Sequence, residues 1–545
     1  MGTDKSMLNY SPGRSAFPPY AMQCFRFCCA IVFTLKVLFI PCYYSTDFEV
    51  HRNWMAITHT LPLRLWYYEN TSEWTLDYPP LFAFFEYSLS QVASKIILSP
   101  PLVVQKDAYF SSELLLFQRL SVIAMDIIYV LSCFFLMRSL CEERSGDKCL
   151  KKNSVAAGIF LVTNVSLILI DNIHFQYNGF LAAFLLLSST WVMRKSFILV
   201  SPLIDFFHRY EGALMYCILL NMKHIYLYYA PAYVFYYMVN YLLPFNKSFI
   251  IRCAKLTAVL ILPFALALGP FIYFCGPIVL QQIWKRLFPF ERGLTHAYWA
   301  PNLWALYNFA DWYFYQVLRL AKRLPPKVHP PNYTSGIVQQ FAHSILPCVT
   351  PFVTFLVTGI LLVPVVFFTR RRCLRNFPLL LTLSAFAFFL GGYHVHEKAI
   401  VLITIPYTLL ASLDHRFLPS FIVLSVIANV SLFPLFFTSM ESIIKVSVTL
   451  CYMFLSVAIM LFLCPKRKLS ALQRAFLVGV SVIQFYCLVT HQWIFGDDLK
   501  FMPLMLTSLS TALGILWIYL ELLWVIFFDG VQSAEGTCSC KKLKS

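Results

Sequence analysis

The polar segment after the first apolar run holds the residue types with the clearest chemical potential. It reads S-T-D-F-E-V-H-R-N-W and carries Asp47, Glu49, His51 and Arg52. In a helix, Glu49 and Arg52 would form a structural pair at i,i+3, whereas Asp47 and His51 would share a face at i,i+4. A carboxylate beside an apolar run is partly desolvated, which makes Asp47 a candidate general base. A helix cap followed by a solvated turn would explain the same residues.

Two further polar groups suit a ligand rich in hydroxyls. Asp77 and Tyr78 stand in W-T-L-D-Y-P-P-L, where the two prolines end any helix and favour an exposed turn. Aromatic faces flanked by carboxylates suit a carbohydrate, although an aromatic belt at a membrane interface has the same composition. His174 and Gln176 stand in D-N-I-H-F-Q-Y-N-G, a short and unusually polar link between two apolar runs. A hydrogen-bonded turn is the alternative interpretation of that link.

Basic residues and imidazoles mark two places that could bind an anion. Arg286 and Arg292 stand in R-L-F-P-F-E-R-G-L and could grip a phosphate bidentately or contact lipid head groups. The turn G-G-Y-H-V-H-E-K places His394 and His396 beside Lys398. Histidines two residues apart share a face only in an extended chain, and no H-E-x-x-H motif is present, so we expect no metal there. These groups instead suit an anionic leaving group.

The elements that position these groups belong to a chain that has too few charged residues to cover the surface of a soluble protein. Of its 545 residues, 59% are hydrophobic and 13% are charged, and the charged share is about half that of a globular protein. This composition excludes a cytosolic enzyme, a disordered protein and a secreted domain. The first apolar run of spanning length covers about residues 24–44 and has no small-residue cleavage site, and the last run covers about residues 503–528. We count about fourteen, which predicts an all-α polytopic membrane protein.

The net charge of +17 orients the predicted spans. Basic residues occupy alternate short loops, so the positive-inside rule places those loops and both termini in the cytosol, and nucleic acid is not an expected partner. The polar groups described above then lie on the luminal side. The predicted organisation is a cytosolic segment 1–23, a transmembrane module 24–275 with a luminal loop 45–112, a second luminal loop 276–343, a transmembrane module 344–528 and a cytosolic tail 529–545.

The polar blocks also resemble a known family. Between about residues 40 and 405, in order, they resemble the endoplasmic-reticulum glucosyltransferases that use dolichyl phosphate glucose. Within that family, the chain looks most like the member that adds the second glucose to the lipid-linked oligosaccharide. The blocks that carry this finer likeness are S-T-D-F-E-V-H-R-N-W, H-A-Y-W-A-P-N-L-W-A-L-Y-N and H-V-H-E-K-A-I. Residues near 196–210 look like an insertion relative to the family.

The resemblance implies a C-type glycosyltransferase fold in the endoplasmic-reticulum membrane, with the active site facing the lumen. The implied donor is dolichyl phosphate glucose, and the implied acceptor is Glc1Man9GlcNAc2 on dolichyl pyrophosphate, both within membrane lipids. Glucose would be added in an α-1,3 linkage with inversion of the β-linked donor, for N-glycosylation. No cofactor is implied.

The resulting hypothesis gives each polar block a role. Asp47 would act as the general base on the acceptor hydroxyl. The leaving phosphate would meet His394, His396, Lys398 and Arg292. The residues expected to bind substrate are Glu49, Arg52, Asp77, Tyr78, His174, Gln176 and Glu397.

Other functions remain open at this point. A first-glucose transferase acting on Man9GlcNAc2 on dolichyl pyrophosphate belongs to the same family. A mannosyltransferase of the same broad fold would share the luminal carboxylate, but the five polar blocks disfavour it. A lipid or oligosaccharide transporter would have a similar number of spans. Transporters usually carry internal repeats and polar residues near the middle of the bilayer, whereas the polar clusters here lie at the ends of the apolar runs.

Overall fold

A computed structural model describes most of the chain, and its regular structure is almost entirely helical. The described residues are 19–97, 101–142, 148–194, 210–243, 245–288, 293–296, 298–332, 342–369 and 376–528. Several predictions concern residues outside these ranges, namely the first part of the cytosolic segment (1–18), almost all of the insertion near 196–210, Arg292 and the tail 529–545.

The helices comprise long apolar helices and shorter ones between them. Before residue 276 they are α1 (Pro19–Leu38), α2 (Thr46–Thr60), α3 (Pro80–Ile96), α4 (Ser112–Glu142), α5 (Lys148–Val162), α6 (Val165–Leu169), α7 (Asn178–Met193), α8 (Glu211–Met222), α9 (Ala230–Tyr237) and α10 (Phe249–Cys275). After it they are α11 (Val279–Leu287), α12 (Leu303–Leu320), α13 (Pro351–Phe368), α14 (Asn376–Gly391), α15 (Val401–Leu413), α16 (Leu418–Ser431), α17 (Ser439–Leu463), α18 (Ala471–Phe485), α19 (His491–Phe495) and α20 (Met502–Phe528).

Many of these helices are long and apolar enough to cross a membrane. Within the described residues there are nine such helices, and three shorter apolar helices accompany them. The all-α polytopic membrane fold is therefore confirmed. The nine are Tyr20–Leu38, Ser112–Glu142, Lys151–Phe175, Phe249–Cys275, Pro351–Phe368, His415–Leu435, Ser439–Leu463, Ala471–Phe495 and Met502–Phe528, and the shorter three are Asn178–Met193, Glu211–Met222 and Asn376–Gly391.

The predicted count of about fourteen exceeds these nine partly because some apolar runs are not continuous α-helices. The run predicted at 224–243 divides into a 3-10 segment (His224–Tyr229), α9 and a π-helical segment (Met238–Leu242). Hydropathy measures apolar length and does not detect such changes in helical winding.

The helices divide into an interior set and a lipid-facing set. In α14, every residue except Phe388 is buried. In α13, by contrast, large side chains such as Phe355 and Ile360 are about 70% exposed (72% and 70%). An exposed apolar face of this size suits lipid, because acyl chains solvate it as well as protein does.

One buried ion pair ties α1 to α4 inside the bundle. Asp126, an isolated acid in an apolar run, is predicted to face the interior with a polar partner. It does so, because Nζ of Lys36 lies 2.6 Å from its Oδ2 and both side chains are buried. Because the two side chains are paired, neither charge is buried in an apolar environment without a partner.

The candidate site forms where the segments between the long apolar helices meet the ends of this bundle. Helix α2 packs against α3 and against a π-helical turn, Ile170–Phe175, that continues α6. The second long loop, which is predicted to be luminal, contacts the turn between α14 and α15 through two isolated β-bridges, Thr295 with Val395 and Trp299 with His396.

Candidate active site

The base predicted in the first polar segment lies at the start of a capped helix. Ser45 is the N-cap of α2, and its Oγ accepts a hydrogen bond from the backbone N–H of Asp47. The same hydroxyl donates to the carbonyl of His174 at 2.6 Å, and the Ser45 N–H donates to that carbonyl at 3.1 Å. The cap therefore fastens the start of α2 to the polar link that carries His174. A helix N-terminus also favours a carboxylate, because its free N–H groups carry partial positive charge.

A buried arginine holds together the two chain segments that lead to the site. The guanidinium of Arg119, in α4, donates to the carbonyls of Tyr43 and Asn172 at 2.8 Å, of Ile173 at 2.9 Å and of Cys42 at 3.4 Å. Our sequence analysis missed this residue. A signal was present, since an arginine within an apolar run is rare without a structural or functional reason.

Four of the predicted site residues meet at one carboxylate. Oδ2 of Asp47 accepts from Nζ of Lys398 at 2.9 Å and from Nε2 of Gln176, and Nε2 of His174 lies 3.4 Å away. Nζ of Lys398 also lies 3.1 Å from Nε2 of His174. Among the described residues, all of these contacts fall on Oδ2. The Asp47 side chain is 21% exposed, so the site is enclosed but reachable.

The charges of Asp47 and Lys398 stabilise each other. Burial alone would raise the pKa of Asp47, but Lys398 and His174 outweigh it and hold that pKa well below its usual value. Burial alone would lower the pKa of Lys398, but Asp47 and Glu397 raise it above its usual value. Both groups are therefore ionised at neutral pH.

The second luminal loop holds the turn that carries Lys398. Nε1 of Trp304 donates to the carbonyl of Gly392 at 2.8 Å. The N–H of His394 donates to the carbonyl of Leu294 at 2.9 Å, and its Nδ1 lies 2.7 Å from the carbonyl of Gly293. The short turn is therefore fixed by a segment that is about a hundred residues earlier in the chain.

Two residues beside the site have left-handed backbone conformations. Phe175 has a φ of 84° and His394 a φ of 51°. Residues other than glycine seldom adopt such angles, and the strain costs on the order of 1–3 kcal/mol each. Phe175 directs the chain between His174 and Gln176, so both side chains can reach Asp47.

The turn also builds a second cluster of ionisable groups. Nδ1 of His296 lies 3.3 Å from Oε2 of Glu397, and Nδ1 of His396 lies 3.8 Å from its Oε1. Burial and His296 lower the pKa of His396 to about 3. Burial would raise the pKa of Glu397, but the two imidazoles hold it well below its usual value.

Among the described residues, this second cluster is also the group that could hold a metal. The candidate ligand atoms of His296, His396 and Glu397 all lie within 4.8 Å of one another, and two imidazoles with a carboxylate form a known zinc ligand set. The spacing of His394 and His396 was the basis for expecting no metal. It could not reveal His296, which the fold brings from the second luminal loop.

Glu49 and Arg52 form the predicted i,i+3 pair and brace the first luminal loop. Nη2 of Arg52 lies 2.5 Å from Oε1 of Glu49, while its Nη1 donates to the carbonyls of Pro101 and Val103 at 2.9 Å. Oε2 of Glu49 accepts from the N–H of Tyr109 at 3.1 Å. Arg52 is fully buried, so both residues have structural partners, and contact with substrate stays a prediction for them.

His51 lies on α2 as predicted, but its partner is not Asp47. Its Nδ1 lies 2.6 Å from Oε1 of Glu86 in α3, and both side chains are buried. The pair joins α2 to α3. Glu86 is a residue that the sequence did not single out.

Asp77 and Tyr78 lie near a lysine that our sequence analysis missed. Nζ of Lys223 lies 5.0 Å from the centre of the Tyr78 ring, within cation–π range. The charges of Asp77 and Asp47 both act on the pKa of Lys223. Arg286, in contrast, donates to the carbonyls of Tyr67 and Glu69, so its visible role is to hold the first luminal loop.

Comparison with known proteins identifies relatives along almost the whole chain. Three proteins called dolichyl pyrophosphate Glc1Man9GlcNAc2 alpha-1,3-glucosyltransferase are similar to it. The one from Caenorhabditis elegans is 41% identical over 527 residues, covering 94% of this chain and 67% of that protein. The one from Mus musculus is 41% identical over 507 residues, covering 90% and 93%. The one from Neurospora crassa is 40% identical over 525 residues, covering 92% and 98%.

A solved structure and a family model complete the comparison. The crystal structure of ArnT from Cupriavidus metallidurans bound to undecaprenyl phosphate matches with a TM-score of 0.40 and 11% identity, covering 92% of this chain and 77% of that one. The model of the ALG6, ALG8 glycosyltransferase family matches residues 32–522. The C-type glycosyltransferase fold expected from the sequence is the fold of that family. The chain therefore belongs to the ALG6, ALG8 glycosyltransferase family.

Proposed function

We propose that this protein transfers glucose from dolichyl phosphate glucose to Glc1Man9GlcNAc2 on dolichyl pyrophosphate. The new bond is an α-1,3 linkage, and the configuration at the anomeric carbon of the donor is inverted. The observation that carries this proposal is the convergence of Asp47, His174, Gln176 and Lys398 at one partly exposed carboxylate. The names of the similar proteins supply the acceptor and the linkage.

Asp47 is the general base in this mechanism. A sugar hydroxyl is too weak an acid to ionise beforehand, so proton transfer accompanies attack. The acceptor 3-oxygen forms a bond to the anomeric carbon while its proton passes to the Asp47 carboxylate. The bond from that carbon to the phosphate oxygen breaks, and dolichyl phosphate leaves with the electron pair. The low pKa of Asp47 keeps the carboxylate ready to accept the proton at neutral pH.

The leaving phosphate meets positive charge and hydrogen-bond donors. Lys398 has three N–H donors, so it can contact a phosphate oxygen while it keeps its bond to Asp47. His396 is neutral at neutral pH and can donate one N–H to the same group. His394 and Arg292 are the remaining candidates. Because a phosphate is a good leaving group, the reaction needs neither a protein acid nor a metal.

Other side chains shape the space for the sugars. Both oxygens of Glu397 are buried beside His296 and His396, so its contact with substrate stays a prediction. Tyr78 offers an aromatic face, and Asp77 offers a carboxylate beside it. Gln176 and His174 line the approach to Asp47, and Glu49 with Arg52 supports the helix that carries the base.

The cellular setting forms part of the proposal. The luminal face of the endoplasmic reticulum carries the active site, and both termini lie in the cytosol. The series of basic short loops supports this orientation through the positive-inside rule.

The test is glucose transfer by the purified protein in detergent or vesicles. Dolichyl phosphate glucose is offered with two lipid-linked acceptors that carry zero or one glucose, and the product linkage is analysed. We expect transfer to the monoglucosylated acceptor and an α-1,3 product. Transfer to the unglucosylated acceptor alone would make the protein a first-glucose transferase. Movement of lipid across vesicles without transfer would overturn the proposed enzyme.

A further inference from the structure

Lys223 lies between α8 and the 3-10 segment that follows it, and it faces the candidate site. Its Nζ donates to Oδ1 of Asn178 at 3.1 Å. Asn178 begins α7, and its Nδ2 donates to Oε1 of Gln176 at 2.7 Å. Nε2 of Gln176 then donates to Oδ2 of Asp47. A continuous hydrogen-bonded chain therefore runs from the ammonium to the base through two side-chain amides.

The ammonium determines the direction of this chain. A lysine ammonium can only donate, whereas an amide has one end that donates and one that accepts. Lys223 therefore requires Asn178 to present its oxygen, which turns Nδ2 toward Gln176. Gln176 must then accept with Oε1 and donate with Nε2. Without the ammonium, Oδ1 of Asn178 would lose its donor, and the two amides would be held only by their bonds to each other, to Asp171 and to Asp47.

Asp171 supports the same direction from the opposite side. Its Oδ1 accepts from both the backbone N–H and Nδ2 of Asn178, at 3.0 and 2.9 Å. Among the described residues, Nδ2 of Asn178 therefore has two acceptors, and Oδ1 of Asn178 has one donor, Lys223.

We propose that Lys223 is a positioning residue for Asp47, acting through Asn178 and Gln176. The chain holds Oδ2 of Asp47 as the hydrogen-bonded oxygen and leaves Oδ1 to receive the proton from the acceptor hydroxyl. This inference rests on the proposed function, because it assigns a role to Lys223 in the same proton transfer.

The role requires Lys223 to be protonated, which ties it to pH. Burial and the nearby Lys398 lower the pKa of Lys223, and Asp171, Asp47 and Asp77 oppose them, leaving the pKa at about 8. Below that pH the ammonium only donates. Above it, the neutral amine can also accept, so it no longer determines the direction of the amides. The chain is therefore intact at low and neutral pH and is lost as the pH rises through about 8.

The experiment compares wild type with Lys223→Met and Lys223→Arg across pH 6 to 10 in the transfer assay. At pH 7 we expect Lys223→Met to lower kcat about tenfold, the effect of one lost hydrogen bond to a charged group, with both KM values little changed. The wild type should lose kcat above about pH 8. Lys223→Arg should retain kcat at pH 7 and remove that alkaline decline, because its guanidinium stays protonated.

A matched control separates positioning from general packing. Lys445 is a buried lysine that is not part of the hydrogen-bonded chain from Lys223 to Asp47, and its Nζ donates to the carbonyls of Phe433 and Phe436. Lys445→Met should retain the alkaline decline of the wild type. An unchanged decline in Lys223→Arg, or an unchanged kcat in Lys223→Met, would overturn the role of Lys223. If Lys223→Met does not fold, the comparison of wild type with Lys223→Arg decides. Absence of glucose transfer by the wild type would instead overturn the proposed function.

Discussion

Asp47 and Lys398 form an ion pair of 2.9 Å although 351 residues separate them in the chain. One partner lies in the first turn of α2, and the other follows a short turn in the C-terminal half. The site is therefore complete only when both halves of the chain are packed together. The pair also contributes to the charge state of the base, because Lys398 and His174 together outweigh the burial that would otherwise raise the pKa of Asp47.

Replacing the base should remove most of the activity. We expect Asp47→Asn to lower kcat by about 10²–10⁴-fold, the range for loss of a positioned base, because an amide cannot accept the hydroxyl proton. The measurement is initial-rate transfer of glucose to the monoglucosylated acceptor. Asp107→Asn is the matched control, since Asp107 is an exposed carboxylate in the same luminal loop. Near-wild-type transfer by well-expressed Asp47→Asn would show that another group is the base.

Removing the cation should change how activity depends on pH. In the wild type the pKa of Asp47 is held well below its usual value, so its protonation limits the rate only in strong acid. Without Lys398, burial raises the pKa of Asp47, and the carboxylate becomes protonated at higher pH. We therefore expect Lys398→Met to move the acidic decline of kcat/KM to higher pH and to lower the plateau. The exposed Lys500→Met is the control, and an acidic decline unchanged in Lys398→Met would contradict this coupling.

Chelation should leave the reaction intact. The leaving phosphate is a good leaving group, and Lys398 with the imidazoles of the turn can supply the charge and donors it needs. We expect the same transfer rate after dialysis against EDTA as after dialysis against EDTA already saturated with calcium. Complete loss with free EDTA, restored by a divalent ion, would instead assign a metal to His296, His396 and Glu397, whose ligand atoms lie within 4.8 Å of one another.

A small substitution at the start of α7 should destabilise the protein. A methyl group on Gly179 would lie 2.6 Å from Oδ1 of Asp126 and 3.3 Å from Oδ2 of Asp171. Asp126 is held by Lys36, so it cannot move away freely. We expect Gly179→Ala to lower the free energy of unfolding by about 1–3 kcal/mol, as overpacking usually does, measured as a fall in Tm.

The control for that substitution is a glycine with open space around it. Gly269 lies within α10, and a methyl group there would meet no atom within 4 Å. Gly269→Ala should leave Tm unchanged or raise it slightly, because alanine favours a helix more than glycine does. Equal effects of the two substitutions would mean that the Asp126 and Asp171 carboxylates do not restrict Gly179.

Local features of the site follow from the sequence because they depend on near neighbours. Residues 46–60 form a helix that Ser45 caps, and Glu49 pairs with Arg52 one turn later, as expected if this segment is helical. The polar link at 171–179 and the turn at 391–398 can also be recognised, since polar residues interrupt long apolar runs there. These interactions involve residues within one or two helical turns, so the spacing of residue types in the sequence is enough to predict them.

Partners from distant segments could not be predicted in this way. His51 shares a helical face with Asp47, yet it binds Glu86 of the neighbouring luminal helix. His296 joins His396 and Glu397 only because the second luminal loop lies along the turn. In each case, the partner that a side chain contacts depends on which helices pack together.

The sequence by itself determined a polytopic helical membrane protein, its polar blocks and the resemblance to a glucosyltransferase family. These conclusions depend on apolar length, charge and short-range spacing, which folding does not alter. Only the tertiary structure decided that Lys398 pairs with Asp47, that Arg119 joins the segments leading to the site and that Lys223 reaches the base through two amides. The physical reason is that a buried charge must find partners in three dimensions, and helix packing, not sequence distance, determines which partners are within reach.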